Sequence, residues 1–235
     1  MQGKLYLIPT TLGDSKINSV IPPDVSEIIE ELQFFIVENI RTARRYIRKI
    51  SRKKNIDELT FFEIGKHTDF TNISHYLDPA QQGKSIGLLS EAGNPCIADP
   101  GNEIVKIAHR KNIQVVPLVG PSSILLALIA SGMNGQNFAF NGYLPVQKSD
   151  KIKKIKSLEN RSRNENQSQI FMETPYRNQN FLEDILNTCN KTTRLCIAAD
   201  ITLETEFINT KTIADWKKNK PNLKKRPTIF ILQAN

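Results

Sequence analysis

The sequence predicts an α/β protein of two lobes, and three observations carry that expectation. Short apolar runs alternate with amphipathic stretches, as strands and helices do around a largely parallel sheet. Two sets of such runs follow one another, with Gly120-Pro121-Ser122 between them as a hinge. A chain of 235 residues is long enough for two modest cores, and the expected division is 1–118 and 119–235.

In the first lobe, residues 4–9, 34–38, 59–64, 85–89 and 114–118 read as strands, being short and bounded by polar or turn-forming residues. Residues 24–31, 41–51, 71–81 and 102–111 read as helices. The first helix is announced by Pro22-Pro23, with Asp24 as its N-cap. In the second lobe the strands expected are 138–144, 169–173, 195–199 and 228–232, and the helices 123–131, 150–158 and 177–188. The longest apolar stretch, 124–130, predicts a buried helix and is far shorter than the roughly 20 residues of a membrane span. Residues 160–168 are polar and read as a mobile connector.

Cys96, Cys189 and Cys196 form no CxxC and cannot all pair, which suits a reducing compartment. The first residues lead straight into a strand pattern, so no signal peptide is expected and the location expected is the cytoplasm. The net charge of +8 is unevenly spread. Residues 41–54 hold eight Lys or Arg and no acid, 148–163 hold seven and 211–226 hold seven, together 22 of the 32 basic residues. Such concentration attracts polyanions through counterion release. Arg41, Arg44, Arg45, Arg48 and Arg52 are therefore the candidate RNA-binding residues, against the plainer alternative of a solvated basic surface.

The segment Ser90-Glu91-Ala92-Gly93-Asn94-Pro95 through Asp99-Pro100-Gly101 follows a predicted strand and precedes a predicted helix, where open α/β folds bind ligands. Its glycines allow close backbone approach and its prolines stiffen it. Gly120-Pro121-Ser122-Ser123 opens a helix, and Ser122 or Ser123 is there to cap it or to meet a ligand. Pro9-Thr10-Thr11-Leu12-Gly13-Asp14 is a third turn in the ligand position. No GxGxxG or GxSxG occurs. Gly83-Lys84-Ser85 imitates the end of a phosphate-binding loop, but Asp78 stands where glycine is required. His67, His75 and His109 lack zinc spacing, and no metal is expected.

Taken in order, these loops resemble the tetrapyrrole (corrin/porphyrin) methylase superfamily, and within it the branch of rRNA (cytidine-2'-O-)-methyltransferases acting on bacterial small-subunit rRNA. The matching pieces are 5–14, Val37-Glu38-Asn39-Ile40-Arg41, 89–101, 116–122 and Glu173-Thr174-Pro175-Tyr176-Arg177. The resemblance implies two α/β lobes, a homodimer, and S-adenosyl-L-methionine folded into the interlobe cleft. Carried over residue by residue, its cofactor contacts fall on Leu12, Ala92, Gly93, Asn94, Ile97, Ser122 and Ser123. In the second lobe they fall on Glu173, Ile201 and Pro227. Asn94 stands where the small-molecule branches have the carboxylate of G-D-P. Asn39-Ile40 replaces the ribosomal branch's D-T, and Ala199-Asp200-Ile201-Thr202-Leu203 replaces its R-E-L-T-K, with loss of an Arg and a Lys.

The activity implied is methyl transfer to a ribose 2'-hydroxyl of rRNA. Removal of the hydroxyl proton is helped by a base, for which Glu38 at a strand's carboxyl end is the first candidate; its alternative is an ion pair with Arg41 or Arg44. Arg41 is the second catalytic candidate, or else a bidentate phosphate ligand. Lys66 and His67 are weaker candidates for orienting substrate. Rival functions are methylation of a small tetrapyrrole and non-catalytic RNA binding by a degenerate cofactor cleft. Gly93→Val is expected to abolish cofactor binding by setting a branched side chain against the ligand.

Overall fold

Phe34-Phe35-Ile36-Val37 and Ile86-Gly87-Leu88-Leu89 contain no polar side chain, the composition of strands covered on both faces. In the computed structural model, which describes residues 2–65, 68–69 and 73–234, they are β2 (Phe34–Val37) and β4 (Ile86–Leu89) of an all-parallel sheet. The chain divides into two compact units, Met1–Ser122 and Ser123–Asn235.

The first unit's sheet runs β3-β2-β4-β1-β5, where β1 is Leu5–Ile8, β3 Thr60–Glu63 and β5 Val115–Pro117. The period-2 alternation of a strand sends Ile36 to one face and Phe35 and Val37 to the other. One face is covered by α5 (Gly101–Arg110), through Ile104, Ile107 and Ala108. The other is covered by α2 (Pro23–Glu31) and α3 (Ile40–Ile50), through Val25, Ile29, Ala43 and Ile47. From β1 the chain passes toward β2 on one side, and from β4 toward β5 on the other. The carboxyl ends of β1 and β4, which are neighbours, therefore form a switch point, where such sheets open a ligand crevice.

Several expectations need correction. Asp24 is not the N-cap of α2: Pro22 holds that position without a side-chain bond and Pro23 is the first helical residue, where its missing N–H costs nothing. Short helices at Ile17–Val20 (α1) and Ile56–Glu58 went unpredicted. The helix expected over 71–81 is a 3₁₀ turn, Ile73–Leu77, followed by α4 (Asp78–Gln81); Pro79 is tolerated only in a first turn, and residues 71 and 72 lie outside those described.

The second unit's sheet runs β6-β7-β10-β8-β9, with β6 Phe138–Tyr143, β7 Ser168–Met172, β8 Arg194–Ala199, β9 Phe207–Thr212 and β10 Thr228–Gln233. Only β6 and β7 pair in parallel; the other pairs are antiparallel, against the largely parallel expectation. The reason is local. Seven residues separate β8 from β9, which is room for a hairpin but not for a crossover helix. β9 itself was missed because Thr210, Lys211 and Thr212 give an edge strand little apolar content.

A core of Leu158, Phe171, Phe181, Ile185, Trp216 and Phe230 joins this sheet to α7 (Lys148–Glu165), α8 (Asn178–Thr188) and α9 (Ile213–Lys218). The mobile connector expected at 160–168 does not exist: α7 runs to Glu165 and β7 begins at Ser168. Polar groups fix it. Buried Glu159 accepts bonds from Asn190 N at 2.7 Å and Thr193 Oγ1 at 2.5 Å, and Ser162 Oγ accepts one from Ala234 N at 2.9 Å. The helix over 124–130 is present as α6 (Ser123–Ser131), but only in part buried: Ala127 and Leu128 face inward, while Leu125 and Ile129 are 49% and 79% exposed. Among the described residues no helix is long and apolar enough to cross a membrane.

Candidate active site

Three loops of the first unit meet beyond the carboxyl ends of β1, β4 and β5. Thr10 N donates to Gly93 O at 2.9 Å, Thr10 Oγ1 to Ser90 O at 3.4 Å, and Ser90 Oγ to Gly93 O at 3.1 Å. Tyr46 Oη of α3 donates to Pro9 O at 2.7 Å, holding the first loop down. Gly120 completes the junction because no side chain fits there: a Cβ would stand 2.1 Å from Pro9 Cβ and 3.2 Å from Asn94 Oδ1. Leu12, Gly93, Asn94 and Pro121 are thus brought together.

The loop from Ser90 to Gly101 holds unusual backbone. Gly93, Cys96 and Ala98 all take the left-handed conformation, with φ of 73°, 72° and 64°. For non-glycine residues this costs on the order of 1–3 kcal/mol each, and such strain gathers at ligand clamps. Two buried acceptors, Asn94 Oδ1 and Asp99 Oδ2, have no hydrogen-bond partner among the described residues, although Asp99 Oδ1 accepts from Gly101 N at 2.7 Å. Unsatisfied buried acceptors are rare and ask for a donor-bearing ligand. Ile97, 47% exposed, adds apolar surface and Ala92 is exposed as well. Burial, and then the charge of Asp99, push the Cys96 thiol up to about 12, so Cys96 is no nucleophile near neutrality.

Gly93→Val would also act on the loops themselves. A Cβ at Gly93 would lie 3.0 Å from Leu12 Cδ2 and 3.1 Å from Pro121 O, so the new side chain presses on the loops that flank it. Left-handed backbone adds roughly 1–2 kcal/mol. Loss of cofactor uptake in calorimetry should therefore come with a lower unfolding midpoint. Lost uptake at wild-type stability would point back to direct ligand contact.

Glu38 follows β2 directly. Its Oε1 accepts the backbone N–H of Glu91 at 3.1 Å, so the carboxylate is tied to the start of the 90–101 loop. The ion pair with Arg41 or Arg44 that the sequence offered is absent: Arg44 pairs with Asp57. Burial raises the Glu38 carboxyl above its ordinary pKa, the Glu91 N–H opposes this, and the charges of Asp99 and Glu91 add to the rise. Thr42 Oγ1 lies 2.5 Å from Glu91 Oε1 and 3.0 Å from Asn39 O. Asn39 Oδ1 accepts from Arg41 N at 2.9 Å and Thr42 N at 3.2 Å, capping α3. Asn39→Ala should cost about 1 kcal/mol, read as a shift in urea midpoint; no shift would mean that water replaces the cap.

Arg41, Arg44, Arg45 and Arg48, with Asn39, Ile40 and Glu63, line a depression of about 520 Å³. Of the basic run, Arg44 is held by Asp57, Lys49 by Asp14 at 2.7 Å, and Lys54 Nζ by Glu30 O at 2.5 Å. Arg41, Arg45 and Arg48 are exposed and make no ion pair with a described residue. Arg52 is exposed just past the helix, beyond its C-cap Ser51. Lys66 and His67 lie outside the described residues. No group of three His, Cys, Asp or Glu among the described residues is placed to hold a metal.

In the second unit, Glu173, Ile201 and Pro227 lie at one end of the sheet's central strands, where β7 and β8 end and β10 begins. Asp200 N donates to Pro227 O at 2.9 Å. Asp200 and Thr202 flank Ile201 in left-handed backbone, at φ of 52° and 72°. The Glu173 carboxylate is already engaged, by Thr174 N and Arg177 Nη2, each at 2.7 Å. Sequence reasoning missed Arg226, whose Nε meets Asp200 Oδ2 at 2.6 Å; it supplies a cation beside the segment from which the Arg and Lys are missing. Ser122 precedes α6, of which Ser123 is the first residue, and Ser122 is not free of partners.

A family model described as "Tetrapyrrole (Corrin/Porphyrin) Methylases" matches residues 4–216. Curated relatives include the "Ribosomal RNA small subunit methyltransferase I" of Buchnera aphidicola, 30% identical over 98% of this chain and 78% of that one. The protein of the same name from Escherichia coli is 26% identical over 100% of this chain and 79% of its own. Among solved structures, the methyltransferase CobJ superposes with a TM-score of 0.64 at 15% identity, covering 99% of this chain and 94% of that one. A uroporphyrin-III C-methyltransferase from Thermus thermophilus does so at 0.56 and 16%, covering 99% and 93%.

Proposed function

The chain belongs to the tetrapyrrole (corrin/porphyrin) methylases and is an S-adenosylmethionine-dependent methyltransferase, and from that premise we propose that it methylates a ribose 2'-hydroxyl of small-subunit rRNA. The observation that carries the proposal is the union, at the carboxyl end of one sheet, of the strained 90–101 loop, the Glu38 carboxylate bonded to it, and the basic helix that starts two residues later. The names of the relatives at 26–30% identity support an rRNA substrate over a small tetrapyrrole.

When bound, S-adenosylmethionine supplies the methyl group and the leaving sulfide. Leu12, Ala92, Gly93, Asn94 and Ile97 would hold it in the first unit, and the unpaired Asn94 Oδ1 and Asp99 Oδ2 fit a ligand rich in hydroxyl and ammonium donors. Glu38 takes the proton of the 2'-hydroxyl as the oxygen–methyl bond forms, and its raised pKa makes it a better acceptor than an ordinary carboxylate. Arg41, Arg45 and Arg48 hold the phosphodiester backbone and fix the register of the ribose. Alignment of this kind is worth up to roughly 7–11 kcal/mol.

We propose further that the enzyme works in the cytoplasm and as a homodimer. The exposed Leu125 and Ile129, one helical turn apart, share a face of α6, which is apolar surface that a second copy would cover. Comparison of small-subunit rRNA from cells with and without the gene tests the substrate. One ribose methylation should disappear with the gene, and an unchanged modification profile would contradict the proposal.

A further inference from the structure

We propose that the depression beside α3 seats a nucleotide whose base carries an exocyclic amino group, and that Glu63 reads that group. The inference rests on the RNA-methyltransferase function proposed above and adds to it a specificity-determining residue.

The depression has the right size, about 520 Å³, against roughly 300–1,000 Å³ for sites that enclose small ligands. Its walls divide the work of binding a nucleotide. Arg41, Arg45 and Arg48 offer guanidinium groups that no described carboxylate neutralises, and a phosphate accepts from such groups in pairs. Ile40 and the flat faces of the arginines offer the apolar and stacking surface on which unpaired RNA bases are held.

Glu63 does not belong in a site for phosphate alone. It ends β3, the edge strand of the sheet, is exposed, and pairs with no described cation although four arginines share its depression. An ionised carboxylate only accepts hydrogen bonds, and it repels phosphate and carbonyl oxygens. The partner it can take from a nucleotide is an N–H or O–H. Cytosine, adenine and guanine each present an exocyclic amino group, whereas uracil has carbonyl oxygens at its exocyclic positions and its one ring donor, N3–H, lies between them, where a carboxylate also meets those oxygens; a carboxylate at this point therefore disfavours uracil. The depression is also adjacent to the chemistry, since Asn39, on its rim, follows Glu38 in the chain. A nucleotide seated by Glu63 would be positioned for a ribose to meet the Glu38 carboxylate.

The test is equilibrium binding of labelled single-stranded oligocytidylate, oligoadenylate and oligouridylate to the full chain at one fixed salt concentration. The wild type should prefer the first two by roughly 5- to 100-fold, the range of a single good base contact. Glu63→Gln, whose amide both donates and accepts, should bring the three oligomers within about twofold, since uracil gains a donor to meet. Glu27→Gln makes the same charge change at an exposed position of α2 and should leave the preference intact. A wild type without preference, a preference that survives Glu63→Gln, or equal loss in both variants would each overturn the role of Glu63. Methyl transfer into small-subunit rRNA is measured separately. Transfer that persists without base preference removes this inference alone, while preference without transfer removes the proposed function and leaves the seat.

Discussion

Glu38→Gln should leave cofactor and RNA binding near wild type while slowing methyl transfer by about 10²–10⁴-fold, the usual share of a general base. The amide keeps the shape of the side chain and its Oε1 can still accept the Glu91 N–H, now 3.1 Å from the carboxylate. The loop tie survives and only the proton acceptor is lost. The pH profile separates this from a structural effect. A base must be deprotonated, so the wild-type rate falls as pH falls through the folded-state pKa of Glu38. Burial, with the Asp99 and Glu91 charges, raises that pKa above its ordinary value, so the acid limb should lie at higher pH than it would for a fully solvated glutamate. The variant should lack the limb. Wild-type turnover in Glu38→Gln would reduce Glu38 to an anchor for the loop.

Replacing Arg45, Arg48 and Arg52 together with Gln should weaken RNA binding and flatten its dependence on salt. Each phosphate contact contributes roughly 0.7 to 0.9 to the slope of log K against log salt, so three lost contacts make it shallower by about two to three. The arginines are exposed, and the packing of α3 rests on Ala43 and Ile47 on its other face. Stability and cofactor affinity should therefore hold. Equal slopes for variant and wild type would show the stripe to be a solvated surface.

The first unit was legible because its physics is local. Strands buried on both faces must be continuous apolar runs, and the runs at 34–37 and 86–89 could be read as such. The loops after β1, β4 and β5 were legible for the same reason: glycine and proline mark them, and strand ends are where ligands collect. What escaped depends on partners far away in sequence. Residues 160–165 look like linker, yet they continue a helix anchored by Glu159 and Ser162 to residues 31 and 72 positions away. β9 is an edge strand, exposed enough to dispense with the apolar pattern that reveals other strands.

The candidate site divides in the same way. That Glu38 stood at a strand end was visible, but its partner was not, since Glu91 is 53 residues distant. Nor does the basic run say which of its members are committed: Arg44 and Lys49 are held by Asp57 and Asp14, while Arg41, Arg45 and Arg48 are not. Charge density is written in the sequence, whereas the pairing that cancels it is written in the fold.

Transfer of a methyl group to a ribose 2'-hydroxyl is read directly by alkaline digestion. Small-subunit rRNA from cells lacking the gene would be incubated with the protein and S-adenosylmethionine labelled in its methyl group, then hydrolysed in alkali. Alkaline cleavage of RNA uses the free 2'-hydroxyl as nucleophile, so a methylated ribose protects its own 3' linkage. Label should be confined to one alkali-resistant dinucleotide, with little of it when Glu38→Gln is used. Label recovered in mononucleotides, as a methylated base would give, or no label at all from protein that binds the cofactor, would contradict it.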